Sequence, residues 1–269
     1  MFPETTQLLE AISKRASRRS FLDEPLSAEV YEKLNTFRSA INQIYPSVRV
    51  EIATITSDLP VFTGIFSAFG RANSPLFAAF IGDTFDPHVD VKVGFVAEAF
   101  VLFATSLGLG TCWNSGMHRK DLVPRYFTLS SSETVFSVSP LGVARTTKAF
   151  SEKLISGLAG SKKRKQLHEL LVEPLPENHP EWIQTALENL RIAPSAINRQ
   201  SWRIRVESSL KTIYFYFSGE ETPAFPKALD TGIGICHFVV SIPNDLNYHL
   251  EFKTESVGNL HLVAVITFD

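Results

Sequence analysis

The stretch from Asp90 to Leu107 constrains this 269-residue chain most. It is apolar on nearly every side, with Lys92 and Glu98 as interruptions, and closes on Gly108-Leu109-Gly110. A segment of that length and pattern reads as a helix buried all round, with the glycines ending it. The two charges make it a poor match to the roughly 20 uninterrupted apolar residues of a membrane span. A buried helix accounts for it better.

The elements around it come in a repeated order. Glu4 to Lys14 places Leu8, Leu9 and Ile12 on one helical face, and Ser27 is a ready N-cap for a second helix to Ser39 with Val30, Leu34 and Phe37 as its stripe. Val48 to Ile55 and Leu76 to Ile81 have the β-branched and large apolar content of strands, as does Thr134 to Val143. A Pro-rich connector, Glu173-Pro174-Leu175-Pro176, follows, and the order then starts again. Glu181 to Arg191 is helical in pattern, Trp202 to Glu207 and Thr212 to Phe217 are strand-like, Ala228 to Ile242 is a buried helix, and Leu260 to Phe268 alternates as a strand. Ser39-Ala40-Ile41-Asn42 before the first strand pair is echoed by Ser195-Ala196-Ile197-Asn198 before the second. The expectation is an α+β protein of two helix-strand-strand-helix-strand halves, residues 1–172 and 177–269.

Composition excludes several classes. With 26 Lys and Arg against 28 Asp and Glu the chain has a formal charge of -2, so no global field draws it to nucleic acid or an anionic membrane. Its 2 cysteines, Cys112 and Cys236, have no thiol near them in sequence, and its 7 histidines lack ligand spacing, so neither disulfides nor a metal is expected. The start, Met1-Phe2-Pro3-Glu4, has no basic flank and apolar run, which points to the cytoplasm.

Three segments carry chemistry. In Arg15-Ala16-Ser17-Arg18-Arg19, directly after the first helix, Arg15 and Arg19 offer guanidinium forks that match phosphate oxygens, and Ser17 adds a hydroxyl. The basic run Lys162, Lys163, Arg164 and Lys165 could meet the same phosphate, or be a solvated face. The buried helix runs into Gly108-Leu109-Gly110-Thr111-Cys112-Trp113-Asn114-Ser115-Gly116, where glycines permit close approach of main-chain N–H groups to a flat ring; a plain helix end with Trp113 filling core is the alternative. In Ala193-Pro194-Ser195-Ala196-Ile197-Asn198-Arg199-Gln200-Ser201-Trp202, Pro194 stops a helix and Ser195, Asn198 and Gln200 supply donors and acceptors for the polar edge of a ring system, or for an ordinary capped turn.

Taken together, these segments resemble the FMN-dependent nitroreductases, which share an Arg-x-Ser-x-Arg arm, an Ala-Pro-Ser-x-x-Asn-x-Gln-Pro-Trp loop and a long helix ending in Gly-Leu-Gly-Thr-Cys. The resemblance covers Ile12 to about Arg164 and Glu181 to Trp202, with Leu141-Gly142-Val143 standing where the family has Leu-Gly-Tyr. It implies that Arg15, Ser17, Arg19, Lys162 and Arg164 hold the FMN phosphate and ribityl end. Asn114, Ser115 and Gly116 would line the isoalloxazine, faced by Pro194, Ser195 and Asn198.

Family members are generally homodimers with FMN at the interface, and here the Ala-Pro-Ser loop stands in the second half, while Arg38 to Gln43 lacks it. The implied arrangement is an internal duplication in which one chain imitates the dimer: a monomer with one complete site. The implied activity is hydride transfer from NAD(P)H through FMN to a small acceptor such as a nitroaromatic or quinone. A flavin-binding protein with little turnover, or another flavin chemistry on the same fold, remains open. Ser201 stands where the family usually has proline.

Overall fold

The computed structural model describes residues 2–62, 74–146, 163–222 and 226–269. Helices α1 (Thr5–Lys14) and α2 (Ala28–Ile41) precede strands β1 (Val48–Thr54) and β2 (Leu76–Asp83). The buried helix α3 (Val89–Ser106), strand β3 (Leu109–Thr111) and strand β4 (Glu133–Val143) follow. Beyond the described gap come α4 (Leu167–Leu170), α5 (Glu181–Arg191), β5 (Trp202–Val206), β6 (Thr212–Ser218), α6 (Lys227–Val239), β7 (Tyr248–Val257) and β8 (Leu260–Phe268).

The strands form two antiparallel sheets with the same plan, β1-β2-β4-β3 and β5-β6-β8-β7. Even the irregularities correspond: the β2–β4 register shifts between Phe80 and Ile81, and the β6–β8 register between Phe215 and Tyr216. The expected helix-strand-strand-helix-strand order is present in both halves, and each half holds one further strand that the sequence reading did not anticipate. β3 is three residues inside what reads as a glycine turn, and β7, Tyr248–Val257, carries alternating polar residues with an exposed face. Both sit at a sheet edge, where pairing on one side replaces apolar content as the source of order.

α3 and α6 are packed on each other at the centre, and glycine makes their approach possible. A Cβ on Gly94 would lie 2.0 Å from the Leu229 carbonyl oxygen, and one on Gly232 would lie 2.0 Å from the Val91 carbonyl oxygen. Leu229 precedes Gly232 by the same interval as Val91 precedes Gly94. The contact is therefore reciprocal, the geometry of a two-fold interface written into one chain. This crossing explains the absence of a polar face on α3, since α1, α2, the first sheet and α6 enclose it, and every residue from Gly94 to Ala104 is buried.

The sheets differ in what covers them. β2 is buried along nearly its whole length because Ala78 and Phe80 join the main core while Phe77, Ala79 and Ile81 join a second cluster with Val61, Phe62, Cys112, Val123 and Val138. β6 alternates buried and half-exposed, and on its open face the Arg205 guanidinium lies 4.1 Å from the centre of the Tyr214 ring. The helix N-cap expected at Ser27 is present, its hydroxyl accepting from the Val30 N–H at 3.3 Å. Residues 163–172 pack on the second half: Val172 N–H donates to the Ile204 carbonyl at 2.8 Å. Among the described residues no helix is long and apolar enough to cross a membrane.

Candidate functional site

The Arg arm leaves α1 and runs beside the glycine turn. Ser17 bridges Thr111 in parallel, and the Arg18 N–H donates to the Thr111 carbonyl at 2.8 Å. Gly110 allows this, because a Cβ there would come within 3.0 Å of Phe21 Cε1 and Arg18 Cβ. The strand β3 is thus the element that aligns the arm with the loop after it. In that loop Asn114 exchanges main-chain bonds with Val138 at 2.9 and 3.1 Å, and its side chain braces the turn, accepting from Met117 N–H at 2.7 Å. Ser115 donates its hydroxyl to Ser137 at 3.2 Å, and Gly116 is exposed at the tip.

Arg15 turns inward. Its Nε is 3.9 Å from an oxygen of Glu98, which is wholly buried on α3. The same carboxylate accepts from Trp113 Nε1 at 2.6 Å and lies 2.9 Å from His237 Nε2 on α6, whose Nδ1 is 2.9 Å from the Asn189 carbonyl on α5. Both imidazole nitrogens therefore face oxygen atoms, one on each neighbouring helix. The sequence reading used Glu98 only against a membrane span; a lone carboxylate inside an otherwise apolar helix was the signal that could have found this network.

From the second half, the loop after α5 reaches the same region. Ile197, Asn198 and Gln200 all have positive φ, at 49°, 58° and 50°. Such angles are costly for a β-branched residue and persist only where surroundings enforce them. Asp230, on the first turn of α6, supplies the enforcement: its oxygens accept from Ala196 N–H at 3.1 and 3.2 Å and from Arg199 Nε at 2.9 Å. Burial raises the Asp230 carboxyl to about 6, opposed by Arg199 and the Ala196 N–H. Ser195 fixes the other end, its hydroxyl accepting from Gln200 N–H at 3.0 Å. Pro194 lies between α5 and this loop.

The basic run meets the loop directly. Arg164 donates to Asn198 Oδ1 and, at 3.0 Å, to the Ile192 carbonyl, while Asn198 Nδ2 donates to the Lys163 carbonyl at 2.6 Å. The Lys165 N–H donates to Gln200 Oε1 at 2.9 Å. Burial, then Arg15 and Arg191, push the pKa of Arg164 below the ordinary guanidinium range. Arg15 of the arm is thus within electrostatic reach of Arg164, which bonds Asn198, although the three are far apart in sequence. Arg19 is half-buried on the arm, and Lys162 lies outside the described residues. Arg15, whose side chain is 8% exposed, and the half-buried Arg164, which donates to neutral oxygens, form a donor set suited to a phosphate. Among the described residues no cluster of His, Cys, Asp and Glu could hold a metal ion.

A family model described as "Putative TM nitroreductase" matches residues 7–242. A nitroreductase-type structure from Thermotoga maritima covers 97% of this chain and 93% of its own at 20% identity, with a TM-score of 0.58, and shows the shared fold. A nitroreductase family protein from Clostridium difficile covers 62% of this chain and 98% of its own at 21% identity and a TM-score of 0.45. A Bacteroides fragilis nitroreductase with bound FMN covers 53% and 91% at 16% identity and a TM-score of 0.41. No curated protein matches the chain. With most of its length matched by that family's model, and with the same fold as the Thermotoga protein, the chain belongs to this nitroreductase family.

Proposed function

We propose that the chain is an FMN-dependent NAD(P)H oxidoreductase whose single flavin site is shared by its two halves. The observation that carries this reading is that Arg164, at the end of the first half and within electrostatic reach of Arg15, bonds Asn198 of the second half. Arg15, Ser17, Arg19 and Arg164, with Lys162, would bind the phosphate and ribityl end. The Asn114-Ser115-Gly116 loop would lie along one edge of the isoalloxazine, and Pro194, Ser195 and Asn198 along the other. The flavin, when bound, supplies hydride acceptance from NAD(P)H and delivery to a small acceptor such as a nitroaromatic or quinone. Asp230 and Ser195 hold the second-half loop in its strained conformation, and Glu98 with His237 ties the arm to α6 in a water-excluding core.

Internal duplication is the companion proposal. The matched sheet orders, the corresponding bulges and the reciprocal glycines support a single-chain counterpart of the family dimer, divided at residues 172 and 177. On this proposal the protein is a monomer of 30.0 kDa binding one FMN per chain.

Titration with FMN and with riboflavin tests the site. Arg164→Ala removes a charge-assisted contact of about 1.5–3 kcal/mol, so FMN affinity should fall about 10- to 100-fold, and riboflavin affinity far less. Equal losses for both ligands would remove the phosphate assignment. Anaerobic bleaching of the flavin by NADH or NADPH tests turnover; a yellow protein that neither bleaches is a flavin binder of another kind. Sedimentation tests the monomer, and an obligate dimer that loses flavin on dissociation would overturn it.

A further inference from the structure

A two-fold relation implies a second place corresponding to the candidate flavin site, and the structure shows what stands there. The counterpart of the loop after α5 is the turn after α2, residues Asn42 to Tyr45. β3 pairs with the far end of β4 and the start of β7 with the far end of β8, so Asn247 and Tyr248 take the places of Gly110 and Thr111. These counterparts border one cavity of about 300 Å³, lined by Phe2, Ile44, Tyr45, Phe95, Leu246 and Tyr248 among others.

The chemistry there has changed completely. Asn42 is turned away from the cavity's task, its amide exchanging two bonds with the Val50 main chain at 2.8 and 3.0 Å. Among the described residues bordering the cavity there is no lysine or arginine. The nearby Lys92 is committed to Asp86 at 2.6 Å, with its ammonium 5.5 Å from the Tyr45 ring centre. The walls are aromatic instead: the Phe2 and Phe95 rings lie 4.7 Å apart, and Tyr45 meets Phe95 edge-on at 6.3 Å.

We propose that this cavity is a second small-molecule site, taking an uncharged planar aromatic of one or two rings that carries a hydroxyl or carbonyl oxygen. The volume lies at the small end of ligand pockets and admits no flavin nucleotide with its phosphate counter-charges. Offset and edge-on ring contacts favour a flat aromatic guest. Tyr45 and Tyr248 line the cavity, and a phenol hydroxyl can donate to or accept from an oxygen. Burial pushes both phenols up, Tyr248 to about 12 with Tyr45 and Cys236 adding to it, so both remain donors at neutral pH.

The test is fluorescence titration of 2-naphthol into protein saturated with FMN, or into the protein alone if FMN does not bind, so that this proposal and the flavin reading fail separately. One saturable site is expected. Tyr248→Phe, which keeps the ring and the fold, should weaken it about 2- to 13-fold. Leu246→Trp, checked for an unchanged melting curve, should fill the cavity and abolish binding. Arg164→Ala should leave 2-naphthol affinity unchanged, and 2-naphthoate, of the same size but anionic, should bind far more weakly. Absence of saturable binding, competition between 2-naphthol and FMN, equal affinity for naphthoate, or indifference to Tyr248→Phe would each overturn the proposal.

Discussion

The tetrapeptide Ser-Ala-Ile-Asn occurs at corresponding places in the two halves and adopts two different conformations. At Ser39–Asn42 it finishes α2: Ile41 is fully buried, and the Asn42 amide locks onto β1 through Val50. At Ser195–Asn198 it leaves α5 as a short 3-10 turn in which Ile197 is 72% exposed at positive φ and Asn198 turns to Lys163 and Arg164. Local sequence is the same, so the difference comes from partners. Pro194 ends the second helix just before the tetrapeptide, where Arg38 lets the first continue, and Asp230 then fixes the released loop. One copy serves the core and the other is held in an exposed, left-handed turn.

The sharpest way to break this two-fold relation is at the helix crossing. Gly94→Ala and Gly232→Ala each drive a methyl group onto a backbone carbonyl that cannot rotate away. Each should cost about 3 kcal/mol in urea unfolding. Gly234→Ala, whose methyl meets only side chains of Leu190 and Trp202 at 3.3 Å or more, should cost much less. A large loss at one crossing glycine and none at the other would show that the contact is not reciprocal.

The two asparagines separate next. Asn42→Ala strips both bonds from Val50 and should lower stability by about 1–3 kcal/mol, without changing FMN affinity. Asn198→Leu should weaken FMN binding about tenfold or more, and where flavin stays bound a redox titration should show a lowered potential, because an amide donor to the reduced ring is lost. An Asn198 variant that melts lower yet binds and titrates normally would make the loop purely structural.

Two carboxyls at the crossing give a pH comparison. Asp90 at the start of α3 is raised to about 6 by burial and then Glu221, and Asp230 to about 6 by burial against the pull of Arg199. The folded state holds these protons more tightly than the unfolded state, so stability falls as pH rises from near 3.8 to about 6. Asp90→Asn should therefore raise the melting temperature at pH 7, with the gain gone below about pH 4. Asp230→Asn should also gain at pH 7, by less than Asp90→Asn because Arg199 loses its charge partner. The smallest effect is at Ile197, where glycine removes the left-handed strain at a largely exposed position; Ile197→Gly should stabilise by up to about 1 kcal/mol in thermal unfolding.

Much of this was legible in the sequence because it depends on local chemistry. Apolar periodicity located the helices other than the short α4 and most strands within a few residues, Ser27 marked a cap, and the Arg arm, glycine turn and Pro-Ser-Asn loop stood out as candidate site segments. The edge strands β3 and β7 were not legible, since their order comes from a neighbour's hydrogen bonds and not from their own side chains. Nor was the network from Arg15 through Glu98 to His237 and Asn189, whose members lie on four helices or their ends and meet only when α3 crosses α6. Sequence by itself determined the helices, most strands and the family resemblance that singles out the candidate site segments. The tertiary structure decided that the arm of one half faces the loop of the other and that identical tetrapeptides diverge, because burial and backbone pairing across long separations outweigh what any four residues prefer alone.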